Sequence, residues 1–370
     1  MEKITVMHLR NPLGWYGVEE IVAILAEDLK PRGFKTIVVS LESGHGKSSF
    51  LQRLGEKGVT GARLSGHKMA RLAQLMKLVR EHQVDLLHTH TYTSDLLGFL
   101  AAKKMGKKVI ATAHGWIETD LKLRMMGMGN RFLLKYFDKV IAPSESILAR
   151  LGHLNPLHLR LIHNCVNPER LTRSEEPSEV ERELSRIPSG NILAVIGRLN
   201  PEKGHRYLFE AMVEITKMKP DVTLWVVGDG PLKAELIALA GKMGISKNIV
   251  FAGYRQEIGT ILSLIDLLVV PSLDEGFCLP IIEALAFGNP VVATSVGVAT
   301  EIAGEYDHVS LVSPKDPGQM ASAILNSLSM LGGLKRRLSS NPLLIPEKFS
   351  RKKMVDDYEQ VYREFVQGRG

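Results

Sequence analysis

The stretch from Leu267 to Phe287 limits the possible folds of this chain more than any other. Leu267–Val270 is an apolar run with the length and β-branching of a buried strand, and after Pro280 the residues Ile281, Ile282, Ala284, Leu285 and Phe287 recur at helical spacing. A polar, Gly-containing turn joins them. The same order recurs along the chain. Strands are expected over Lys3–Leu9, Thr36–Ser40, Val84–Thr89, Lys108–Ala113, Lys139–Pro143, Ile192–Ile196, Val222–Val227, Ile249–Ala252 and Val309–Val312. Amphipathic helices fall between them, among them Ile21, Val22, Leu25 and Leu29 before Gly33, and Met69, Leu72, Leu75, Met76 and Val79. Alternating strands and helices predict an α/β fold of doubly wound sheets.

With 370 residues the chain is long for one core and comfortable for two domains. Arg173–Pro188 is polar, charged and bounded by proline, and is the best linker. The expected division is therefore 1–173, a linker over 174–190, a second domain over 191–348, and a terminal helix over 349–370. That helix is marked by Met354, Val355, Tyr358, Val361, Tyr362 and Phe365, with Ser350 as its cap. Two cysteines, Cys165 and Cys278, offer neither a disulfide framework nor a thiolate metal site. The start, MEKITVMHLRN, carries no secretory pattern and no run reaches membrane-spanning length, so a cytoplasmic protein is expected.

Charge is unevenly placed. Residues 1–173 carry 26 Lys and Arg against 15 Asp and Glu, and the remainder 21 against 25. A basic half attracts anionic lipid, nucleic acid or phosphorylated acceptors, or is simply a solvated surface; charge alone does not choose. Thr119–Phe137 mixes Lys122, Arg124, Arg131 and Lys135 with Leu, Met and Phe, and Lys103, Lys104, Lys107 and Lys108 lie nearby. Two readings stay open: a segment lying on the inner face of an anionic membrane, or an ordinary helix pair against the core.

The turn after Val270 points to an anion. Proline suits a first helical position because its missing N–H has no partner there, and the neighbouring N–H groups with the helix dipole favour phosphate. Glu275 and Glu283 flank this helix start with seven residues between them. Either one of them holds a diol while the amides hold the phosphate, or Glu283 only complements the dipole and Glu275 is solvated. Gly197-Arg198-Leu-Asn-Pro-Glu-Lys203-Gly204 puts two cations on another strand-to-helix loop, where they can neutralise a diphosphate without a metal ion. Other motifs are weaker. Gly46-Lys47-Ser48 lacks the earlier glycine of a P-loop, and Gly228-Asp-Gly230 lacks the third glycine of a dinucleotide fingerprint. His88, His90 and His114 imitate a three-histidine metal site, with no carboxylate or cysteine to strengthen it, and no metal site is assigned.

At the pair Glu275-GFCLPII-Glu283, and at the Gly-rich turn Pro290–Gly297, the sequence resembles retaining glycosyltransferases of the family 4 type, which have the GT-B fold. The resemblance spans nearly the whole chain. It implies two Rossmann-like domains facing a cleft, the first for the acceptor and the second for a nucleotide sugar, and a last helix that crosses back to the first domain. Glu283 would hydrogen-bond the ribose, and Glu275 with Gly276, Phe277, Cys278 and Leu279 would face the transferred sugar and diphosphate. Arg198 and Lys203 would neutralise the departing diphosphate, Tyr254 would lie near the base, Gly17 near the diphosphate, and His114 beside the sugar. Catalysis is then expected from His114, Arg198, Lys203 and Glu275, with no cofactor.

The partners implied are a nucleotide sugar, UDP ahead of GDP, and a glycan or lipid-linked acceptor, in the synthesis of a cell-surface polysaccharide or glycolipid. Trp15 and Tyr16 depart from the glycine-rich first loop of that family, where an aromatic could instead stack on a sugar, and His163-Asn-Cys-Val-Asn167 departs from Pro-Asn-Gly-Val-Asp. Rival readings are a sugar-nucleotide epimerase or hydrolase on the same fold and a non-catalytic nucleotide-sugar binder. Nucleic-acid binding lacks interleaved aromatics.

Overall fold

The computed structural model describes residues 3–12, 15–41, 49–116, 121–171, 190–338 and 345–367. The incomplete P-loop segment and all of the expected linker except Gly190 lie outside them. The described chain forms two compact units, 1–165 with 348–370 and 166–347.

In the first unit the strands are β1 (Ile4–Arg10), β2 (Phe34–Ser40), β3 (Thr60–Arg63), β4 (Leu86–Thr89), β5 (Lys108–Thr112), β6 (Lys139–Ala142) and β7 (Leu159–Leu161). Helices α1 (Gly17–Asp28), α2 (Ser49–Glu56), α3 (Lys68–Glu81), α4 (Tyr92–Met105), α5 (Leu121–Leu134) and α6 (Glu145–Arg150) connect them. All strand pairs are parallel, in the order β3-β2-β1-β4-β5-β6-β7. Because successive side chains alternate between faces, Ile4 and Val6 of β1 join one apolar core and Met7 and Leu9 the other. Burial on both faces is why these strands read as continuous apolar runs.

The C-terminal helix belongs to this unit. Met354, Val355, Tyr358, Val361 and Tyr362 share the core of α1 with Ile21, Ile24 and Leu25. Its start is fixed by Arg351, whose Nε and a second guanidinium nitrogen donate to both oxygens of Asp28, each at 2.7 Å. Ser350 caps it by accepting from the Lys353 amide at 3.1 Å.

The second unit begins with α7 (Pro168–Leu171) and contains β8 (Ile192–Ile196), α8 (His205–Met218), β9 (Thr223–Val227), α9 (Lys233–Lys242), β10 (Ile249–Gly253) and α10 (Ile258–Leu264). It continues with β11 (Leu267–Val270), α11 (Leu279–Ala286), β12 (Val291–Thr294), α12 (Ala299–Ile302), β13 (Val309–Val312) and α13 (Pro317–Leu338); the C-terminal helix of the first unit is α14 (Arg351–Gln367). Its parallel sheet runs β10-β9-β8-β11-β12-β13. In each sheet the winding reverses beside the first strand, between β1 and β4 and between β8 and β11. Loops at the carboxyl ends of those strands diverge there, and open α/β sheets bind ligands in such gaps.

Candidate active site

In the second unit, the loops after β8 and β11 meet at the reversal. Pro201–Lys203 forms a 3-10 turn that Gly204 ends in the left-handed region at φ 65°. A Cβ at Gly204 would stand 2.0 Å from the Pro271 carbonyl oxygen, so glycine is what lets the two loops touch. Across this contact Lys203 Nζ donates to Glu275 Oε1 at 2.5 Å, and Ser272 Oγ donates to the same oxygen at 2.7 Å. Glu275 is 10% exposed and Lys203 21%. The solvated alternative for Glu275 is thereby excluded. Burial alone would lower the Lys203 pKa, but the Glu275 carboxylate outweighs it and holds the ammonium above its ordinary value.

Arg198 lies on the same loop, its guanidinium 3.8 Å from Glu202 Oε1, which also accepts from Asn200 Nδ2 at 3.0 Å. The loop is propped from behind. Gly197 N donates to Val227 O at 2.9 Å and Leu199 N to Asp229 O at 3.0 Å. Gly228, at φ 142°, brings its backbone so close that a Cβ would meet the Gly197 oxygen at 1.8 Å. The incomplete dinucleotide fingerprint is therefore a structural support for the Arg198 loop.

Gly276 to Cys278 carry the chain to α11, which starts at Leu279, so that Pro280 holds the second helical position instead of the first. Cys278 sits at φ 78°, a conformation that disfavours side chains, while Phe277 O accepts from Val298 N at 3.0 Å. Burial pushes the Cys278 thiol well above its ordinary value, so it stays protonated and unreactive. Glu283 is 2% exposed and 3.6 Å from an Arg170 nitrogen. Tyr254 follows β10 and is exposed. The structure thus brings Arg198, Lys203 and Glu275 onto two adjoining loops and places Glu283 on the helix that follows. Sequence reading missed Ser272, Glu202 and His205. His205 is buried beside Lys203 with neither ring nitrogen hydrogen-bonded among the described residues, and burial first, then Lys203, lowers its pKa to about 4.

In the first unit Gly17 opens α1, and Tyr16 N donates to Glu19 Oε2 at 3.2 Å. Trp15 is not held out for a sugar. Its Nε1 donates to Glu20 at 2.7 Å, its ring lies 5.9 Å from Phe50, and Arg53 stands over it. His114 follows β5 and is half-buried, with Nε2 3.2 Å from His90 Nδ1; His90 Nε2 is in turn 3.0 Å from His8 Nδ1. This row crosses the ends of three adjacent strands. Burial, then Arg10, lowers the His114 pKa to about 3, so the imidazole is neutral at physiological pH. The clustered trio is His8, His88 and His90, whose ring nitrogens lie within 4.8 Å of one another. The expected grouping with His114 is corrected, because His8 on β1 takes its place. His88 uses both nitrogens, on Tyr362 OH at 2.7 Å and Thr112 Oγ1 at 2.8 Å, so an ion there would have to break those bonds.

Helix α5 buries Gly127, Asn130 and Leu134 and exposes Leu121, Met125, Met128 and Phe132 along one stripe, with Lys122 and Arg124 beside it. Among the described residues no helix is long and apolar enough to cross a membrane.

Comparison with known proteins decides the family. The profile of the glycosyl transferases group 1 matches residues 178–341, and that of glycosyltransferase family 4 matches residues 15–170. The 2-deoxystreptamine glucosyltransferase of Streptomyces kanamyceticus is 30% identical over 69% of this chain and 71% of its own. The chain belongs to the glycosyl transferases group 1. Another relative of this group 1 glycosyltransferase is the UDP-Gal:alpha-D-GlcNAc-diphosphoundecaprenol alpha-1,3-galactosyltransferase of Escherichia coli, 26% identical over 80% of this chain and 77% of that enzyme. In fold it is similar to HepE of Anabaena in complex with UDP-glucose, with a TM-score of 0.83 at 19% identity over 97% of this chain and 99% of HepE. The glycosyltransferase has the GT-B fold.

Proposed function

We propose that this glycosyltransferase moves a hexose-type sugar from a UDP-sugar to a glycan or lipid-linked acceptor, with retained anomeric configuration and no metal ion, in the making of a cell-surface polysaccharide or glycolipid. The observation that carries this reading is the junction of Arg198, Lys203 and Glu275 at the sheet reversal of the second unit. A uridine donor is supported by the relative that uses UDP-Gal and by the UDP-glucose held in HepE. A lipid-linked acceptor is supported by that same relative's diphosphoundecaprenol substrate.

In this mechanism the bond between the anomeric carbon and the diphosphate oxygen breaks, and its electron pair goes to the diphosphate. Lys203, Arg198 and the backbone at Gly276–Leu279 meet the growing charge; cations fixed before the reaction need no reorganisation as it develops. The acceptor oxygen bonds to the anomeric carbon on the face the diphosphate leaves, and its proton passes to the leaving phosphate oxygen. Glu275 orients Lys203 and faces the sugar, Glu283 takes the ribose, and Tyr254 lies by the base. In the first unit Gly17 and His114 are assigned to the diphosphate and the transferred sugar; a neutral imidazole there can donate or accept a hydrogen bond. The exposed stripe of α5 with its flanking cations fits contact with the inner face of an anionic membrane.

A thermal-shift panel of UDP, GDP, ADP and their sugars tests the donor, and the anomeric coupling constant of the product by NMR tests retention. UDP-sugars are expected to stabilise the protein most, and excess EDTA to leave transfer unchanged. Consumption of donor without any acceptor would instead point to a hydrolase or epimerase.

A further inference from the structure

Beside the exposed stripe, α4 and α5 enclose a groove of about 590 Å³, within the range of small-molecule sites. Tyr92, Leu96 and Phe99 form one wall and Met126, Gly129 and Leu133 the other. Among the described residues no Asp or Glu lines it. Besides the hydroxyls of Tyr92, Thr93 and Tyr136, the Asn130 amide lines it and is already engaged: Nδ2 donates to Asp95 at 2.7 Å and Oδ1 accepts from Trp116 Nε1 at 2.9 Å. Cations stand at its edge. Lys68 lines it, Lys103 Nζ lies 5.6 Å from the Phe99 ring and Lys135 Nζ 5.3 Å from that of Phe132.

Resting on the lipid-linked acceptor reading above, we propose that this groove seats the hydrocarbon chain of an anionic amphiphile, the lipid phosphate or diphosphate that carries the acceptor sugar. Two arguments select that occupant. Helical walls have satisfied their own backbone groups, so an extended peptide would enter with its N–H and C=O groups unpaired, whereas a hydrocarbon brings none. Among the described residues the rim is cationic and no carboxylate lines the groove, which matches a phosphate head left at the mouth while the chain goes in. Gly129 lines the groove and is itself exposed, and a Cβ there would meet nothing within 4 Å, so a larger side chain has room to enter the groove.

The test uses the whole protein and a series of n-alkyl phosphates from hexyl to dodecyl, each below its critical micelle concentration, with binding measured by calorimetry. Affinity should rise about fourfold for each added methylene until the groove is full. Gly129→Leu, which fills the groove, should abolish the chain-length dependence, while Gly129→Ala should keep it; both should melt at or above the wild-type temperature because glycine is a poor helix former. Equal affinity across the series, or a Gly129→Leu variant that binds like wild type, would overturn the proposal. So would binding only to phosphatidylglycerol vesicles and not to monomeric alkyl phosphates, since that is the behaviour of a bilayer-docking face. A UDP-sugar thermal shift run beside it separates failure of the groove from failure of the glycosyltransferase reading, because no alkyl phosphate result depends on sugar transfer.

Discussion

Lys203 and Glu275 form an ion pair whose structural and chemical roles can be separated by a double-mutant cycle. Opposite charges about 4 Å apart attract by about 4 kcal/mol at an effective dielectric of about 20, and desolvation removes much of that gain. Here the side chains are 21% and 10% exposed, so the pair is screened on one side only. Lys203→Met leaves Glu275 with Ser272 as its remaining donor at this contact, and should cost about 2 kcal/mol of stability. Glu275→Gln leaves an ammonium without its carboxylate and should cost a similar amount. The double variant has no stranded charge, so it should recover at least half of either loss. Activity should not follow. If Lys203 meets charge on the leaving diphosphate, its removal costs about 10²–10³ in kcat whatever stands at 275, as for other preorganised donors. The assay pairs urea melts with initial rates of sugar transfer at saturating donor. Transfer that returns in the double variant along with stability would refute the reasoning, because Lys203 would then be only a structural counter-ion.

Acid should open the first unit. His8, His88 and His90 are fully buried and held neutral by burial, so the unfolded chain takes up their protons below about 6.5 while the folded chain does not. Asp95 opposes them: burial raises its carboxyl to about 7, so the folded state holds a proton the unfolded state loses above about 3.8. His114, whose pKa burial lowers to about 3, adds to the histidine side, so the net uptake on unfolding is about two protons at about pH 6 and about three by about pH 4.5, and stability should fall by about 3–4 kcal/mol per pH unit across that range, measured by urea melts. A flat profile would exclude neutral histidines in the core. Cys278→Gly should stay within about 1 kcal/mol of wild type because the relief at φ 78° offsets lost packing, whereas Cys278→Val should cost at least about 2 kcal/mol in thermal melts. Arg351→Ala should lower protection of amides in Arg351–Gln367 by about 1–2 kcal/mol in hydrogen exchange, and Arg351→Lys should recover less than half, since an ammonium cannot fork onto both Asp28 oxygens.

Several parts of this glycosyltransferase were legible in the sequence because they are local. The runs Leu267–Val270 and Ile192–Ile196 read directly as buried strands, and the loops that follow them hold Arg198, Lys203 and Glu275 close behind a strand end, with Glu283 on the helix beyond. Periodicity gave α14 its buried face through Tyr358 and Tyr362. Other features depend on residues far apart in the chain. The histidine row needs His8, which carries no motif and enters only because β1 lies beside β4. Trp15 looked available to a sugar until Phe50 and Arg53 closed on it.

By itself, then, the sequence determined which segments bury both faces and where glycine interrupts them, since strand alternation, helical spacing and left-handed turns are set by neighbours in the chain. Only the tertiary structure decided that Lys203 meets Glu275 across 72 residues, that Gly228 supports the Arg198 loop, and that α4 and α5 part around a groove. Such meetings follow from strand order, which fixes which loops share an edge of the sheet. No local pattern contains that order.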